Sequence, residues 1–387
     1  VKKAKRTEPI SIVHLPTSVG GNAACLSKHL DTPGIRSESW SITDNFYGYR
    51  TDYIIVGKTK NPIVAQLKRL LALRYILLFD AVFLNFGATL FYPYAEQGSD
   101  RGSIASQLKK RILHLYLSAM QRVELFLLRL FRKPVIIQYQ GDDARQGDFC
   151  RKKFEITAAT QVGADYYSGG SDRLKREQIS LICSQCKKIY ALNPDLLHVL
   201  PASAEFLPYS HISLQDWVPK YTQLEDRALR IGHAPSHRGV KGTDLIRAAV
   251  ENLRKRGYNF EFVLVEGIKN DEAKAVYETL DVLVDQLFIG WYGGLAVEAM
   301  ALGKPVLVYI RESDLSFVPV QMRNDLPVIK TTPDTIEQCL ERVLLMPRWE
   351  LLALGKKSRA YVERWHDPVQ IAERVKADIE QARFSRY

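Results

Sequence analysis

The residues best suited to chemistry fall in four short stretches, two in each half of the chain. Asp285-Gln286-Leu287-Phe288-Ile289-Gly290-Trp291-Tyr292-Gly293-Gly294-Leu295-Ala296-Val297-Glu298-Ala299-Met300-Ala301-Leu302-Gly303-Lys304-Pro305-Val306 reads as a strand, a glycine-rich loop, a short helix and a second strand. Gly293 and Gly294 let the backbone approach a ligand, and the helix start behind them suits an anion such as a phosphate. Glu298 lies about one turn into that helix, within reach of a ribose diol. By spacing alone, a solvated glutamate after a plain turn reads equally well. The second stretch, His233-Ala234-Pro235-Ser236-His237-Arg238-Gly239-Val240-Lys241-Gly242-Thr243, is a basic loop ahead of a helix over 244–256. In the first half, Gly20-Gly21-Asn22 follows an apolar strand, and Gln138-Tyr139-Gln140-Gly141-Asp142-Asp143-Ala144-Arg145 sets charges directly after another. Asp142, Asp143 and Arg145 either face a cleft or cap a helix.

Other chemistries lack their residues. The chain has no Gly-x-Ser-x-Gly, no His-Glu-x-x-His and no Walker lysine loop, and its glycines do not match the dinucleotide fingerprint. Cys183-Ser184-Gln185-Cys186 with Cys150 offers three thiolates, but no second Cys pair or His pair completes a tetrahedral set. No metal site is expected.

These stretches need elements to position them. Residues 10–15, 81–86, 134–139 and 188–191 read as buried strands of the first half, with 39–42 and 53–56 as weaker ones. The helix-like run Ala23–Leu30 follows the first of them, and Asn193-Pro194-Asp195 opens a short helix. In the second half, strands at 229–233, 260–266, 282–285 and 305–309 alternate with helices at 243–256, 272–280 and from Leu295. Alternating strands and helices imply parallel, doubly wound sheets. The expected fold is therefore α/β, with two Rossmann-like domains facing each other across a cleft. Residues 1–210 form the first domain, 211–226 a hinge, and 227–365 the second domain; 366–387 form a helix that could return to the first domain. Ligands of such sheets bind beyond the carboxyl ends of the strands.

At 387 residues, 46% hydrophobic and 25% charged, the chain suits two globular domains. No apolar run reaches the ~20 residues that span a bilayer. The basic start, Val1-Lys2-Lys3-Ala4-Lys5-Arg6, is not followed by the apolar stretch of a secretory signal, and without an initiator Met the numbering can begin inside a longer product. Five cysteines make no disulfide framework, so a cytoplasmic protein is expected. A net charge of +11 and a pI near 9.3 call for anionic partners. The charge concentrates in 101–133, where Arg101, Lys109, Lys110, Arg111, Arg122, Arg129, Arg132 and Lys133 meet one acid, Glu124. There Ile104, Leu108, Ile112, Leu115, Ala119, Val123, Phe126 and Leu130 recur at helical spacing, and Leu113, Leu117, Leu127 and Leu128 widen the apolar surface. Such a helix either lies in an anionic membrane interface, with Lys109, Lys110 and Arg111 as contacts, or packs its stripe on the sheet with its basic residues solvated. The interleaved residues are aliphatic rather than stacking aromatics, so nucleic acid is not an expected partner.

The stretch ending at Val306 resembles the C-terminal signature of the retaining glycosyltransferases of family 4, the glycosyl transferases group 1 superfamily, which reads Glu-Ala-Met-Ala-x-Gly-x-Pro-Val. The loop at Lys241 is similar to that family's Lys-Gly-x-x loop. Gly20-Gly21-Asn22 resembles its N-terminal glycine loop, and Gln140–Arg145 its His-Gly-x-Asp-x-Arg segment. The resemblance covers most of Thr17–Val306 and extends weakly to Tyr361–Asp367. It implies a GT-B fold and a nucleotide diphosphate sugar as co-substrate, with no cofactor and no metal. Glu298 would bind the donor ribose, and Lys241, assisted by Arg238, the diphosphate. Gly20, Gly21, Gly293 and Gly294 would close on the phosphates, and Asp142 and Arg145 would face sugar and acceptor, with Asp142, Arg145 and Lys241 as the catalytic set. The implied activity is sugar transfer to an acceptor hydroxyl with retention, in glycan, cell-surface polysaccharide or glycolipid assembly. The acceptor would be a glycan or lipid-linked, and the protein peripheral on the inner face of the membrane. Two positions depart from the family. Gly290 stands where many members carry an earlier Glu, and Gln140 replaces the histidine. These losses keep two alternatives open: a non-catalytic sugar-nucleotide or glycan-binding subunit, and a GT-B nucleotide-sugar epimerase.

Overall fold

The computed structural model describes residues 9–45, 48–49, 51–93, 103–225 and 227–384. The basic segment Val1–Arg6, Arg101 and the side chain of Ile104 lie outside the described residues.

The first half runs β1 (Ile10–Leu15), α1 (Asn22–Leu30), β2 (Ile35–Ser41), β3 (Tyr53–Ile54), α2 (Pro62–Ile76), β4 (Ala81–Asn85), α3 (Ile104–Leu130), β5 (Val135–Tyr139), α4 (Gly147–Lys153), α5 (Gly169–Cys183), β6 (Lys188–Ala191) and β7 (Glu205–Phe206). The strands form a parallel seven-stranded sheet in the order β3-β2-β1-β4-β5-β6-β7. Every residue of β4 and β5 is buried, as a parallel sheet covered on both faces requires. The second half runs β8 (Leu229–His233), α6 (Arg238–Lys241), α7 (Thr243–Lys255), β9 (Phe260–Leu264), α8 (Asn270–Glu278), β10 (Val282–Val284), α9 (Gly294–Ala301), β11 (Val306–Val308), α10 (Val320–Asn324), β12 (Ile329–Lys330), α11 (Ile336–Leu345), α12 (Arg348–Trp365) and α13 (Pro368–Phe384). Its parallel sheet has the order β12-β11-β10-β8-β9. The order reverses between β1 and β4 in the first sheet and between β8 and β10 in the second.

Alternating side chains of β1, β4 and β5 feed two cores. Val13, Leu15, Val82, Leu84, Val135 and Ile137 pack under α2, α3 and α5 through Ala72, Ile76, Leu125, Leu128, Ile179 and Ile182. On the other face, Ile12, Phe83 and Ile136 meet Leu26 and Leu30 of α1 and Val375 and Ile379 of α13. Tyr190 donates from β6 to Asp378 of α13. The same core continues through Phe206, Tyr209, Ile212 and Trp217 into Trp291, Tyr292 and Met300 of the second half. The segment expected as a hinge is thus partly a buried junction: His211, Ile212, Trp217 and Thr222 are all buried.

The long basic helix forms, as α3, but the residues it sends inward are not its apolar stripe. Leu117, Gln121, Glu124, Leu125 and Leu128 are buried, whereas Leu108, Ile112, Leu115, Val123, Phe126 and Leu130 are exposed. Glu124 accepts from the amides of Leu90 and Phe91 at 3.0 and 3.1 Å, and burial pushes its carboxyl up to about 7. Gln121 donates to Thr89 and Gln178. The one acid of the stretch therefore sits inside, and the outer face of α3 is apolar and basic. Helix α2, on the same side of the sheet, exposes Ile63, Leu67, Leu71, Tyr75 and the following Leu78, and its sequence holds Lys68, Arg69 and Arg74 but no acid. Among the described residues no helix is long and apolar enough to cross a membrane.

Candidate functional site

A cavity of about 400 Å³ lies between the halves. Its walls are the segments that follow β1 (Val19, Gly20), β4 (Phe86), β5 (Gln140, Asp142), β8 (Ala234–Ser236, Lys241), β9 (Val265–Ile268) and β10 (Gln286, Ile289, Gly293, Gly294). Both points where the strand order reverses open into it, the place where doubly wound sheets hold ligands.

At its centre Lys241, the last residue of α6, extends Nζ to Asp285 Oδ1 at 3.1 Å and Gln286 Oε1 at 2.6 Å. The other carboxylate oxygen of Asp285 accepts from Gly293 N at 2.7 Å, so one fully buried acid ties the basic loop to the start of α9. Gly293 and Gly294 border the cavity, but the room they provide is taken by protein groups. A Cβ on Gly293 would lie 3.3 Å from Lys241 Nζ, and one on Gly294 3.2 Å from His211 Nε2. Gly20 is on the opposite wall and Gly21 just behind it, bordering a neighbouring cavity; they have φ of 60° and 71°, where a side chain is strained, and a Cβ on Gly21 would meet the Tyr49 ring at 2.9 Å. Arg238 is placed outside the cavity wall. Its guanidinium, half exposed, bridges Glu266 at 2.8 and 2.6 Å, and Glu266 borders the cavity instead.

One turn into α9, Glu298 is 5% exposed. Asn270 Nδ2 lies 3.3 Å from its Oε1 and equally 3.3 Å from the Tyr49 hydroxyl, and His211 Nε2 approaches Glu298 to 3.5 Å. Neither ring nitrogen of His211 has a hydrogen-bond partner, although the side chain is only 3% exposed. Tyr49, His211 and Asn270 were invisible to sequence reasoning because they come from three separated segments with no local pattern. Beyond them Val265, Ile268, Ala273 and Tyr277 form a mostly apolar slot.

The first-half wall carries Asp142 and Arg145. Arg145 binds Asp195 through Nε and Nη2 at 2.7 and 3.2 Å and Asp142 through Nη1 at 2.9 Å. Asp142 also accepts from the Tyr166 and Tyr167 hydroxyls, each at 2.5 Å. Burial raises its carboxyl, but the Arg145 charge and the two hydroxyls outweigh that and hold it below the ordinary carboxylate value. Asp143 instead caps the turn, accepting from the amides of Gln140 and Gly141, and burial pushes it up to about 6. Tyr166 packs edge-on against His237, the cap of α6, at 4.8 Å, which links this cluster to the Lys241 loop.

Gly290 has φ of 92°, and a Cβ there would fall 2.6 Å from Arg311 Nη1. Arg311 fills that space while bonding the carbonyls of Ile289 and Ile156 and the carboxylate of Asp314, with its guanidinium 3.7 Å over the Phe154 ring. A glutamate has no place here. Among the described residues no group of three His, Cys, Asp or Glu is arranged to hold a metal ion.

The architecture has counterparts among solved structures. The sucrose-phosphate synthase of Thermosynechococcus elongatus superposes with a TM-score of 0.59 at 12% identity, over 97% of this chain and 99% of that one. Alr3699/HepE of Anabaena, solved in complex with UDP-glucose, gives 0.56 at 9% identity, over 96% and 99%. A putative UDP-N-acetylglucosamine 2-epimerase of Listeria monocytogenes gives 0.51 at 12% identity, over 97% and 96%. No protein-family model matches the chain, and no curated protein matches it in sequence. At such identities the likeness is one of architecture, and it is plain at that level: the chain has the GT-B fold, two parallel-sheet α/β domains facing across a cleft.

Proposed function

We propose that the chain is a glycosyltransferase that moves a sugar from a nucleotide diphosphate sugar to an acceptor hydroxyl, with retention of anomeric configuration. The observation that carries this reading is the cavity between both switch points, with Lys241 and the start of α9 at its centre and Glu298 one turn behind. The diphosphate lies against Lys241 and the amides at the start of α9, and the ribose against Glu298, with the base in the slot of Val265, Ile268 and Tyr277. As the bond to the anomeric carbon breaks, negative charge grows on the diphosphate, and the fixed positive groups stabilise it. Asp142 and Arg145 position the sugar or the acceptor. Every charged atom of that pair is committed to a neighbour, so neither is a free nucleophile for double displacement. Same-face attack, with the acceptor proton passing to the departing phosphate, fits this arrangement.

A thermal-shift screen with uridine, guanosine and adenosine diphosphates and their sugars tests the donor reading, because a ligand bound only by the folded state raises its stability. No shift with any of them would refute it. Product analysis separates the alternatives. An epimerase converts donor without acceptor, and a binding subunit leaves it intact.

The acceptor is proposed to be lipid-linked or a growing polymer at an anionic membrane. The support is the face of α2 and α3, where exposed Leu67, Leu71, Leu108, Ile112, Leu115 and Phe126 lie among basic residues, including Lys109, Lys110 and Arg111, with Glu124 turned inward. An apolar surface with a basic margin and no acid suits an anionic lipid interface. Co-sedimentation with vesicles containing about 30% anionic lipid tests this docking. Binding that is absent, or that survives charge reversal at Lys109, Lys110 and Arg111, refutes it.

A further inference from the structure

Behind Gly21 lies a second cavity of about 700 Å³, a size within the roughly 300–1,000 Å³ of small-ligand sites. It meets the cavity between the halves at a partition, where Tyr49, His211, Asn270 and Glu298 border both spaces. Asn270 hydrogen-bonds along that partition to the Tyr49 hydroxyl and to Glu298, each at 3.3 Å. Beyond it the walls come from α1, β2 and the junction that follows Tyr209.

The chemistry of this second cavity departs from that of the molecule as a whole. The chain carries a net charge of +11, yet among the described residues the cavity is bordered by the carboxylates of Asp31, Asp52, Asp216 and Glu298 and by one ammonium, that of Lys28. Asp31, Asp52 and Asp216 are exposed, so the open side of the cavity is acidic. Its inner wall is hydroxylated where a parallel strand covered on both faces ordinarily carries aliphatic side chains. In the register of the sheet Ser37 stands beside Ile12 of β1, but its hydroxyl pairs with Ser27 of α1 at 3.0 Å. Ser39 donates to Asp52 at 2.9 Å, and Thr51 and Ser213 add half-buried hydroxyls. Cys25 also borders the cavity, but burial pushes its thiol up to about 12, so it stays protonated at neutral pH and offers no nucleophile.

We infer that this cavity is a second binding site, for a saccharide that carries hydroxyls and no anionic group. A sugar hydroxyl both donates and accepts, so it can give its proton to a carboxylate while accepting from serine, threonine or lysine. A phosphate or a uronate only accepts, and it would face four like charges against one opposite charge. The site is independent of the donor reading, whose nucleotide lies on the other side of the partition.

Ligand-observed NMR titration of the full chain tests this. The probes are maltotetraose, cellotetraose and mannotetraose, with tetragalacturonate as their anionic counterpart; uridine, guanosine and adenosine diphosphates report on the other cavity. At least one neutral tetrasaccharide should bind, and tetragalacturonate at least about tenfold more weakly, because juxtaposed like charges reject a partner. Ala24 borders this cavity and not the other. Ala24→Trp should therefore fill the site, weaken the neutral saccharide at least about tenfold and leave diphosphate affinity unchanged. Asp216→Lys, at the exposed rim, should strengthen tetragalacturonate relative to the neutral saccharide, so the outcome does not depend on one variant folding. Tetragalacturonate binding as tight as the neutral sugars, no binding by any neutral tetrasaccharide, neutral binding that survives Ala24→Trp, or a selectivity unmoved by Asp216→Lys overturns the inference. Absence of binding by all three diphosphates overturns the donor reading alone.

Discussion

Restoring a side chain at position 290 should damage the protein rather than improve it. Gly290 sits at φ of 92°, a region an L-residue enters at a cost of about 1–2 kcal/mol. The new Cβ of Gly290→Ala would also lie 2.6 Å from Arg311 Nη1, 2.8 Å from Cζ and 2.9 Å from its Cβ, distances that force movement. Overpacking of this kind costs about 1–3 kcal/mol. The smaller entropy of the unfolded chain returns about 0.4–1 kcal/mol. The net loss is therefore roughly 1–5 kcal/mol, growing for Gly290→Glu, whose carboxylate would be driven into a space already closed by Phe154 and Arg311. Arg311 cannot simply leave, because Asp314 would lose a partner at a site that is almost wholly buried. Urea unfolding of Gly290→Ala, Gly290→Glu and Gly290→Ala/Arg311→Ala measures these terms. The double variant should not recover wild-type stability, since the backbone penalty persists and Asp314 keeps His198, at 3.0 Å, and the Ser313 hydroxyl, at 3.4 Å, but no guanidinium. A Gly290→Ala protein as stable as wild type would refute both the φ argument and the Arg311 plug. A Gly290→Glu protein that is folded and more active would refute the view that Arg311 fills the room at this position.

Glu298→Ala should weaken nucleoside diphosphate binding by ten- to a hundredfold in titration, the loss of about 1.5–3 kcal/mol expected for a charge-assisted bond. Lys241→Ala should weaken it similarly and also destabilise the fold by about 3–5 kcal/mol in urea, because it strips a cation from the buried Asp285 carboxylate. Glu124 titrates at about 7 in the folded protein against an ordinary value of 4.5, so the native state holds an extra proton between those values. Stability should therefore be full near pH 4.5 and fall by up to about 3 kcal/mol as pH rises through 7, a slope that Glu124→Gln should flatten in urea midpoints measured across that range. Asp142→Asn should depress turnover while leaving the affinity for free nucleoside diphosphate within about twofold, since its partners all lie on the first-half wall or beside it; a parallel loss of nucleotide affinity would place it elsewhere.

The strands most legible in sequence are those buried on both faces. β1, β6 and β8 match their apolar runs residue for residue, because a parallel strand under two layers of helix needs little but aliphatic side chains. β2 starts four residues before its expected beginning, since its inward positions Ser37, Ser39 and Ser41 look polar; Ser37 pairs with Ser27 of α1 at 3.0 Å. α2 left no stripe to read, because its exposed side is as apolar as its buried one. In α3 the periodicity was real but described the outer face, and the inward side chains include Gln121 and Glu124, whose partners at Thr89–Phe91 no local pattern announces. At the cavity, Gly20, Asp142, Arg145, Lys241, Gly293, Gly294 and Glu298 converge from four sequence stretches. Arg238 does not join them, because Glu266 captures it. Asn193 and His211 come from loops whose only signal is their position after a strand or in the junction between sheets.

The contact between α1 and α13 also bears on how the chain is made. Leu26 and Leu30 need Val375 and Ile379 to cover them, and Tyr190 waits for Asp378. Ribosomes add about 5–20 residues per second, so the stretch from Phe206, the end of the last strand of the first sheet, to Pro368 takes roughly 8–32 s to synthesise. For that whole interval one apolar side of the first sheet faces the cytosol of the translating cell, or a chaperone, with every strand of that sheet already emerged. Vectorial synthesis thus delivers a half-clad domain long before its cover, and a nascent chain stalled ahead of residue 368 presents Ile12, Leu26, Phe83 and Ile136 as a sticky surface to whatever is nearby.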